Sequence, residues 1–283
     1  MKTVLLKKVL LVVGLVGLLV CLPLLGAAGQ KVIVNSWDGV EYSVIMPLFD
    51  QLPNLHTLGN GIMHQLTDNT QCFSNFSKEC RCMQTETMPQ HATMLTGALA
   101  DKHGVTSNLC YRQVPAELTV YYDLYPLSVK TAHIVTKTHF VGKPIFGGIR
   151  NIVNVFYASD IITIPRVTDK VIDLINQWWD EDFFIFLHFR GPDVTGHIYG
   201  DTSPRYTAAI MQNDVQLGRI IDALEAKGIL DETAIYVLSD HGFGKPGPRL
   251  HTGTPNTFIV SNDTSVNNLY MNEVADLILK NFP

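Results

Sequence analysis

Short, uninterrupted apolar runs alternate with helical segments along this chain, and this pattern restricts the fold more than any other feature. FFIFLHF at Phe183–Phe189 and AIYVL at Ala234–Leu238 are continuously apolar instead of alternating with polar residues. Continuous runs are typical of strands that are covered on both faces. Strands that alternate with helices indicate an α/β fold with a largely parallel sheet.

The same patterns place the individual elements. We expect strands at Lys31–Asn35, Ala132–Thr136, Val153–Tyr157, Phe183–Phe189, Ala234–Leu238 and Thr257–Val260. We expect helices at Thr168–Trp179, Pro204–Lys227 and Asn272–Lys280, and one more that begins at Pro89. Gly228 is placed to end the long helix before it.

The first 29 residues differ from the rest of the chain. Lys2, Lys7 and Lys8 precede an apolar run from Val9 to Leu25, and small residues follow. This order predicts a secretory signal peptide over 1–29, although the run is also borderline in length for an uncleaved membrane anchor. We expect residues 30–283 to form a single domain that is secreted or extracytoplasmic, and that touches a membrane only if the leader is retained.

Charge and cysteine content restrict the partners and the compartment. The net charge is −5 and no basic stripe is visible, which argues against binding of a nucleic-acid duplex. An even set of cysteines follows the leader, namely Cys72, Cys80, Cys82 and Cys110. In an exported chain this number predicts two disulfides, in one of three possible pairings. A four-thiolate zinc site is the weaker alternative, because paired C-x-x-C spacing is absent. The sequence does not indicate an oligomeric state.

Carboxylates and histidines follow three of the predicted strands. Asp38 comes after the first, Asp193 and His197 come after FFIFLHF, and Asp240-His241 come after AIYVL. His251 lies ten residues beyond His241. Each piece alone is consistent with a turn or a helix cap, but binding sites of parallel sheets gather beyond the carboxyl ends of the strands. Carboxylate and imidazole ligands suit zinc or manganese, so the pattern predicts two incomplete metal shells.

The stretch TETMPQH places hydroxyl and amide side chains at the expected start of a helix. A threonine there often caps the free N–H groups. The alternative is that an anion such as a phosphoryl group binds at the positive end of the helix. A metal-bound threonine can also act as a nucleophile, which gives Thr87 a role.

Four motifs in a fixed order resemble a known family. DG at Asp38, TMPQHATMLTG to HGVTSN at Thr87–Asn108, DVTGH at Asp193–His197 and SDHG at Ser239–Gly242 are similar to the alkaline phosphatase superfamily. The closest resemblance is to its type I phosphodiesterase/nucleotide pyrophosphatase branch. It implies a three-layer α/β/α sandwich, and no insert long enough for a large cap domain is visible.

The resemblance also implies a mechanism that uses two divalent metal ions, zinc or manganese. One ion would be held by Asp38, Asp240 and His241 with the Thr87 hydroxyl, and the other by Asp193, His197 and His251. Thr87 would attack phosphorus to form a phosphothreonine that water hydrolyses. The helix start at Met88–Gln90 would bind the phosphoryl oxygens. The implied activity is hydrolysis of phosphodiester or pyrophosphate bonds in a small phosphorylated substrate.

Several features depart from that pattern. Gln90 stands where the branch usually has asparagine. The short spacing from His241 to His251 resembles the cofactor-independent phosphomutases, so a phosphomutase or phosphoryl transferase is one alternative. A catalytically silent binding protein of the same fold is another. Thr85 is the rival nucleophile, whereas His91 and His188 are interpreted as structural histidines.

Overall fold

The computed structural model describes residues 30–72, 74–161, 163–243, 251 and 256–283. The strands of its sheet are β1 Lys31–Trp37, β2 His64–Thr67, β3 Lys130–Val135, β4 Val155–Ala158, β5 Phe183–Phe189, β6 Thr233–Leu238, β7 Asn256–Ser261 and β8 Leu269–Tyr270. The helices are α1 Tyr42–Ile45, α2 Pro53–Leu58, α3 Thr87–Thr96, α4 Ala100–His103, α5 Val120–Leu124, α6 Thr138–Val141, α7 Lys143–Phe146, α8 Ile164–Trp178, α9 Gly191–Tyr199, α10 Pro204–Lys227 and α11 Val274–Leu279, with several short 3₁₀ segments between them. The leader predicted over 1–29 lies outside the described residues.

All these strands belong to one sheet with the order β4-β3-β5-β1-β6-β7-β2-β8. The strands from β4 to β6 in that order are parallel to one another. β7 runs antiparallel to β6, and β2 runs antiparallel to β7. The prediction of a largely parallel sheet is therefore confirmed, and the antiparallel edge is an addition. Neither β2 nor β8 was predicted, because HQLT is short and mostly polar and β8 has two residues.

Apolar side chains of the sheet pack in two separate cores, one on each face of the sheet. Val32 and Val34 of β1 pack in one core together with residues of α3, α5 and α11. Ile33 and Trp37 of the same strand pack in the other core, with residues of α2, α8 and α10. Because successive side chains of a strand point to opposite faces, a strand with helices on both sides is apolar throughout. The predicted three-layer α/β/α arrangement is confirmed.

The predicted boundaries of helices and strands agree best with the structure where the sequence carries a strong start or stop signal. The predicted limits of α10 and β5 match the structure. α8 begins at Ile164, four residues before the predicted start. α3 begins at Thr87, so the predicted start at Pro89 is wrong by two residues. Pro89 still lies in the first turn, where its missing N–H leaves no helical bond unmade.

The four cysteines form two disulfides, as predicted. Cys72 is bonded to Cys82, and Cys80 is bonded to Cys110. These bonds rule out a four-thiolate zinc site, and they decide among the three pairings that the sequence left open. In the part of the chain that the structure describes, no helix has the length and apolar character needed to cross a membrane.

Candidate active site

Three adjacent strands bring acidic side chains to one edge of the sheet. Asp38 directly follows β1, which lies between β5 and β6. Asp193 lies in the first turn of α9, immediately after β5. Asp240 follows β6 and is completely buried. Since β5, β1 and β6 are parallel, their carboxyl ends meet at the same edge, and the three carboxylates converge there.

Two groups of candidate metal ligands form at this edge. Asp38, Asp240 and His241 each offer a ligand atom within 4.8 Å of those of the other two, and all three are buried. The Nε2 atom of His241 lies 3.3 Å from Asp38 Oδ1 and 3.4 Å from Asp240 Oδ2. Asp193, His197 and His251 form the second group under the same limit.

The two groups adjoin each other and the threonine. The Nδ1 atoms of His241 and His251 are 3.0 Å apart. The hydroxyl of Thr87 lies 3.0 Å from the Nε2 atom of His241. The structure thus brings together Thr87 and all six side chains that the sequence analysis singled out as ligands. Their roles as ligands and nucleophile stay predictions.

Each of the three aspartates keeps one buried oxygen without a hydrogen-bond donor among the described residues. These oxygens are Asp38 Oδ1, Asp193 Oδ1 and Asp240 Oδ2. A buried polar atom left unsatisfied costs about 1–3 kcal/mol, and more when it is charged. Histidine nitrogens surround the same oxygens, so each free oxygen faces further nitrogen ligands. This donor set fits divalent cations of the zinc or manganese kind.

Electrostatics of the site point the same way. Burial and the neighbouring Asp38 raise the pKa of Asp240 to about 7. Burial opposes a charge on His241, but the surrounding aspartates overcome it and raise its pKa to about 9. Burial and the nearby His241 lower the pKa of His251 to about 3. The raised pKa values of Asp240 and His241 mean that the site without a cation favours added positive charge in the form of protons, which a metal ion would replace.

Lys137 reaches into the middle of this site, although no sequence motif predicted it there. Its Nζ atom lies 2.7 Å from Asp38 Oδ2, 2.6 Å from Asp193 Oδ2 and 3.3 Å from Thr87 Oγ1. Burial lowers the pKa of Lys137, but the attraction of Asp38 and Asp193 outweighs it and raises the pKa above its usual value. A signal was present, because Lys137 directly follows a predicted strand.

Two buried histidines do more than fill the core, although both were interpreted as structural. His188 Nε2 lies 2.8 Å from Asp38 Oδ2 and fixes that carboxylate. His91 Nδ1 lies 2.8 Å from the carbonyl oxygen of Thr87, to which it donates, and Nε2 lies 2.9 Å from Ser36 Oγ. Burial lowers the pKa of both histidines, so they are neutral hydrogen-bonding groups. They hold the proposed ligand and nucleophile in place.

The start of α3 is arranged differently from the prediction. No threonine side chain caps it, and the N-cap residue is Glu86. The Met88 N–H donates to Asn108 Oδ1 at 2.9 Å. The side-chain Nε2 of the buried Gln90 donates to the carbonyl oxygen of Gln84 at 3.2 Å. The predicted anion contacts of Met88 and Gln90 would require these internal bonds to be exchanged.

Comparison with known proteins agrees with this arrangement. Residues 32–268 match the model of the type I phosphodiesterase/nucleotide pyrophosphatase family. The chain belongs to this family. The match covers Thr87, every proposed ligand and all the strands except β8 and the first residue of β1. A curated relative, ectonucleotide pyrophosphatase/phosphodiesterase family member 7 of Rattus norvegicus, is 25% identical over 265 residues. That alignment covers 83% of this chain and 56% of the relative, so the chain spans about half the relative's length.

Several solved structures share the fold of this chain, although their sequence identity to it is low. Murine ectonucleotide pyrophosphatase/phosphodiesterase 5, solved as an inactive variant in complex with AMP, superposes with a TM-score of 0.51 at 19% identity. The match covers 76% of this chain and 59% of the murine chain. Alkaline phosphatase from the Antarctic bacterium TAB5 gives a TM-score of 0.60 at 15% identity, covering 90% of this chain and 98% of that one. These likenesses confirm the alkaline phosphatase-like fold.

Proposed function

We propose that this protein is a phosphohydrolase that uses two cations to cleave phosphodiester or pyrophosphate bonds through Thr87. The observation that carries the proposal is a group of buried carboxylate oxygens that lack donors among the described residues and lie around His241, whose Nε2 atom contacts the Thr87 hydroxyl. Buried charge of this kind is stable when a cation satisfies it. Membership of the type I phosphodiesterase/nucleotide pyrophosphatase family supports the reaction class.

Each cation has its own ligand group in this proposal. Asp38, Asp240 and His241 would hold one, together with the hydroxyl of Thr87, and Asp193, His197 and His251 would hold the other. When bound, the cations stabilise the charge on the phosphoryl oxygens and favour the alkoxide of Thr87. Zinc is our first expectation and manganese the alternative, because both accept carboxylate and imidazole ligands.

The chain's own residues perform the covalent steps. Thr87 Oγ1 forms a bond to phosphorus while the bond from phosphorus to the leaving oxygen breaks. The hydroxyl proton passes to solvent, and the leaving oxygen takes up a proton. Water then cleaves the phosphothreonine, and Thr87 regains its proton. The hydrogen bond from His91 to the Thr87 carbonyl holds the attacking residue in position throughout.

We further propose a small phosphorylated substrate and a site of action outside the cytoplasm. The murine relative has been solved with AMP, a small phosphate ester, which supports the first point. Disulfides form and persist in oxidising compartments. The bonds Cys72–Cys82 and Cys80–Cys110 therefore support export.

The experiment removes the nucleophile and spares the cations. The purified protein is stripped with a chelator, reloaded with zinc or manganese, and assayed with bis(p-nitrophenyl) phosphate, a dinucleoside pyrophosphate and p-nitrophenyl phosphate. Thr87→Ala should lower turnover at least about 1,000-fold, because a nucleophile lost from a catalytic unit costs factors of that order or more. Metal content should remain at the wild-type value.

Thr85→Ala is the matched control. Thr85 is two residues away and buried, and it lies beside Asp68 instead of the site. This variant should keep its activity. Wild-type protein that binds the metals but hydrolyses none of the three substrates would refute the proposed function. Full activity of Thr87→Ala would refute the nucleophile.

A further inference from the structure

Several side chains around its ammonium hold Lys137 in a fixed position. It follows β3, and only 11% of its side chain is exposed. Its ammonium contacts one carboxylate of each ligand group, Asp38 and Asp193, and also the Thr87 hydroxyl. Its Nζ atom lies 5.4 Å from the ring centroid of Phe140, which supports the cation from another side.

The contacts of Lys137 leave the proposed cation positions free. Lys137 donates to the Oδ2 atoms of Asp38 and Asp193. The oxygens that find no donor in the described part of the chain are the Oδ1 atoms of the same two residues. A cation that binds the Oδ1 atoms therefore does not compete with the lysine for the same oxygens. Lys137 and the cations are compatible neighbours.

The third N–H donor of the ammonium lies beside the attacking oxygen, where a phosphoryl oxygen can take its hydrogen bond. A lysine ammonium has three N–H donors and no acceptor. Two of them are used by Asp38 and Asp193, and the third faces Thr87 Oγ1 at 3.3 Å. A phosphorus atom placed for attack lies about 3–3.5 Å from the attacking oxygen. Its non-bridging oxygens then come within reach of the same ammonium.

The charge balance of the site agrees with that geometry. Two divalent cations would exceed the charge of the three aspartates by one positive charge. Lys137 adds a second positive charge. A Thr87 alkoxide and a singly charged phosphodiester together carry two negative charges, so the lysine completes the neutralisation of the reacting pair.

We propose that Lys137 is a catalytic residue that binds a non-bridging oxygen of the phosphoryl group as Thr87 attacks. This inference rests on the proposed function, since it concerns the same site and the same nucleophile. The rival explanation is that the lysine only neutralises the aspartates until the cations bind. The two explanations differ in their effect on phosphate affinity and on metal affinity.

The test compares Lys137→Met and Lys137→Arg with the surface control Lys143→Met. Lys143 lies at the start of α7 and is exposed. Three quantities are measured on the reloaded proteins: bound metal per chain by mass spectrometry, binding of inorganic phosphate by calorimetry, and kcat and KM for bis(p-nitrophenyl) phosphate. Calorimetric zinc titration of the stripped proteins gives the metal affinity.

We expect Lys137→Met to bind the metals at the wild-type stoichiometry but to bind phosphate about 10-fold to 100-fold more weakly, the size of a charge-assisted hydrogen bond. Its kcat should fall about 100-fold to 1,000-fold, as when one donor to a reacting oxyanion is removed. Lys137→Arg should recover part of both losses because it keeps the charge, and Lys143→Met should match wild type.

Three outcomes would overturn the inference. The first is unchanged phosphate affinity and kcat with tighter zinc binding, which identifies a charge placeholder. The second is loss of bound metal in Lys137→Met, which assigns the lysine to the structure of the metal site. The third is wild-type protein that holds its metals but does not bind phosphate. Wild-type protein that binds phosphate through Lys137 without turning over any ester would refute the proposed function, and it would leave Lys137 as a phosphate-binding residue without a catalytic role.

Discussion

The two ends of the central strands treat charged side chains in opposite ways. At the amino edge of the sheet, Lys31 pairs with Glu232 at 3.1 Å, and Lys280 pairs with Asp263 at 2.6 Å. Both carboxylate oxygens of Asp263 accept hydrogen bonds, from Tyr236 and Lys280 on one side and from Ser265 on the other. At the carboxyl edge, Lys137 contacts Asp38 and Asp193, and each of the three aspartates there, including Asp240, keeps an oxygen without a donor among the described residues.

The difference teaches which end of the sheet needs a ligand. A polar cavity of about 450 Å³ lies at the amino edge, lined by Glu232, Asp263 and Lys280 among others. Glu232 and Asp263 already have partners, so the size of the cavity does not indicate a site. The carboxyl edge is closely packed, yet three of its buried carboxylate oxygens lack a partner among the described residues and would need a cation. Buried carboxylate oxygens without partners therefore identify the functional edge better than cavity volume does.

The largest expected effect comes from removing a carboxylate at the carboxyl edge. Asp193→Asn should lower turnover of bis(p-nitrophenyl) phosphate at least about 1,000-fold, since loss of a cation removes electrostatic stabilisation of several kcal/mol. Bound metal should fall by one ion per chain. Steady-state kinetics and mass spectrometry check both expectations. If the variant is active and fully loaded, the carboxyl edge has no special role.

Zinc should raise the free energy of unfolding through the ligands at the carboxyl edge and not through the acids at the amino edge. At a free concentration of about 100 times its dissociation constant, zinc should add about 2.7 kcal/mol per site to the free energy of unfolding. Thermal unfolding of the stripped protein with and without zinc measures the shift. Asp240→Asn should lose the gain of one of the two sites, whereas Asp263→Asn should keep the gain of both. Equal gains in both variants would contradict the contrast between the edges.

The apolar interior offers a third environment, and its histidines predict an acid response. His133 lies between Tyr121 and Val141, and burial lowers its pKa to about 4. Burial lowers the pKa of His103 to about 3. The fold keeps both neutral, whereas the unfolded chain binds protons below pH 6.5. Their contribution to stability is complete above pH 6.5 and is lost as the pH falls toward 4.

Each of these histidines should cost up to about 1.4 kcal/mol per pH unit in that window. Denaturant unfolding of the stripped protein between pH 7 and pH 4 measures the slope. His103→Gln with His133→Gln should give a shallower slope, because glutamine donates and accepts hydrogen bonds without titrating. The histidines of the site remain in both proteins, so the difference isolates the interior. An unchanged slope would show that the interior histidines are not the source.

The smallest effect is expected at the amino edge. Burial opposes ionisation of Asp263, but Lys280 and Ser265 outweigh it and lower its pKa to about 2. Its charge stabilises the fold above pH 4, and this contribution is lost as the pH falls toward 2. Asp263→Asn should cost about 1 kcal/mol at pH 7, because the pair is partly exposed to solvent. Activity and metal content should not change, which kinetics and thermal unfolding can show.

Most of the sheet and much of the site could be predicted from local sequence. The continuous apolar runs predicted β1, β5 and β6, and the residues after them include all three aspartates and His241. β2 could not be predicted, because HQLT joins the sheet through its pairing with β7 and not through an apolar pattern. Lys137 was overlooked for a related reason. A lone lysine after a strand looks like a solvated residue until the positions of Asp38 and Asp193 are known.

The sequence by itself determined the α/β class, the family and the residues available for chemistry, because these depend on local patterns and on the order of motifs. Only the tertiary structure decided the disulfide partners, the position of Lys137 and the carboxylate oxygens that remain without donors. These properties depend on distances between residues that are far apart in the chain. Such distances follow from how the strands pair and how the side chains orient, which local patterns do not specify.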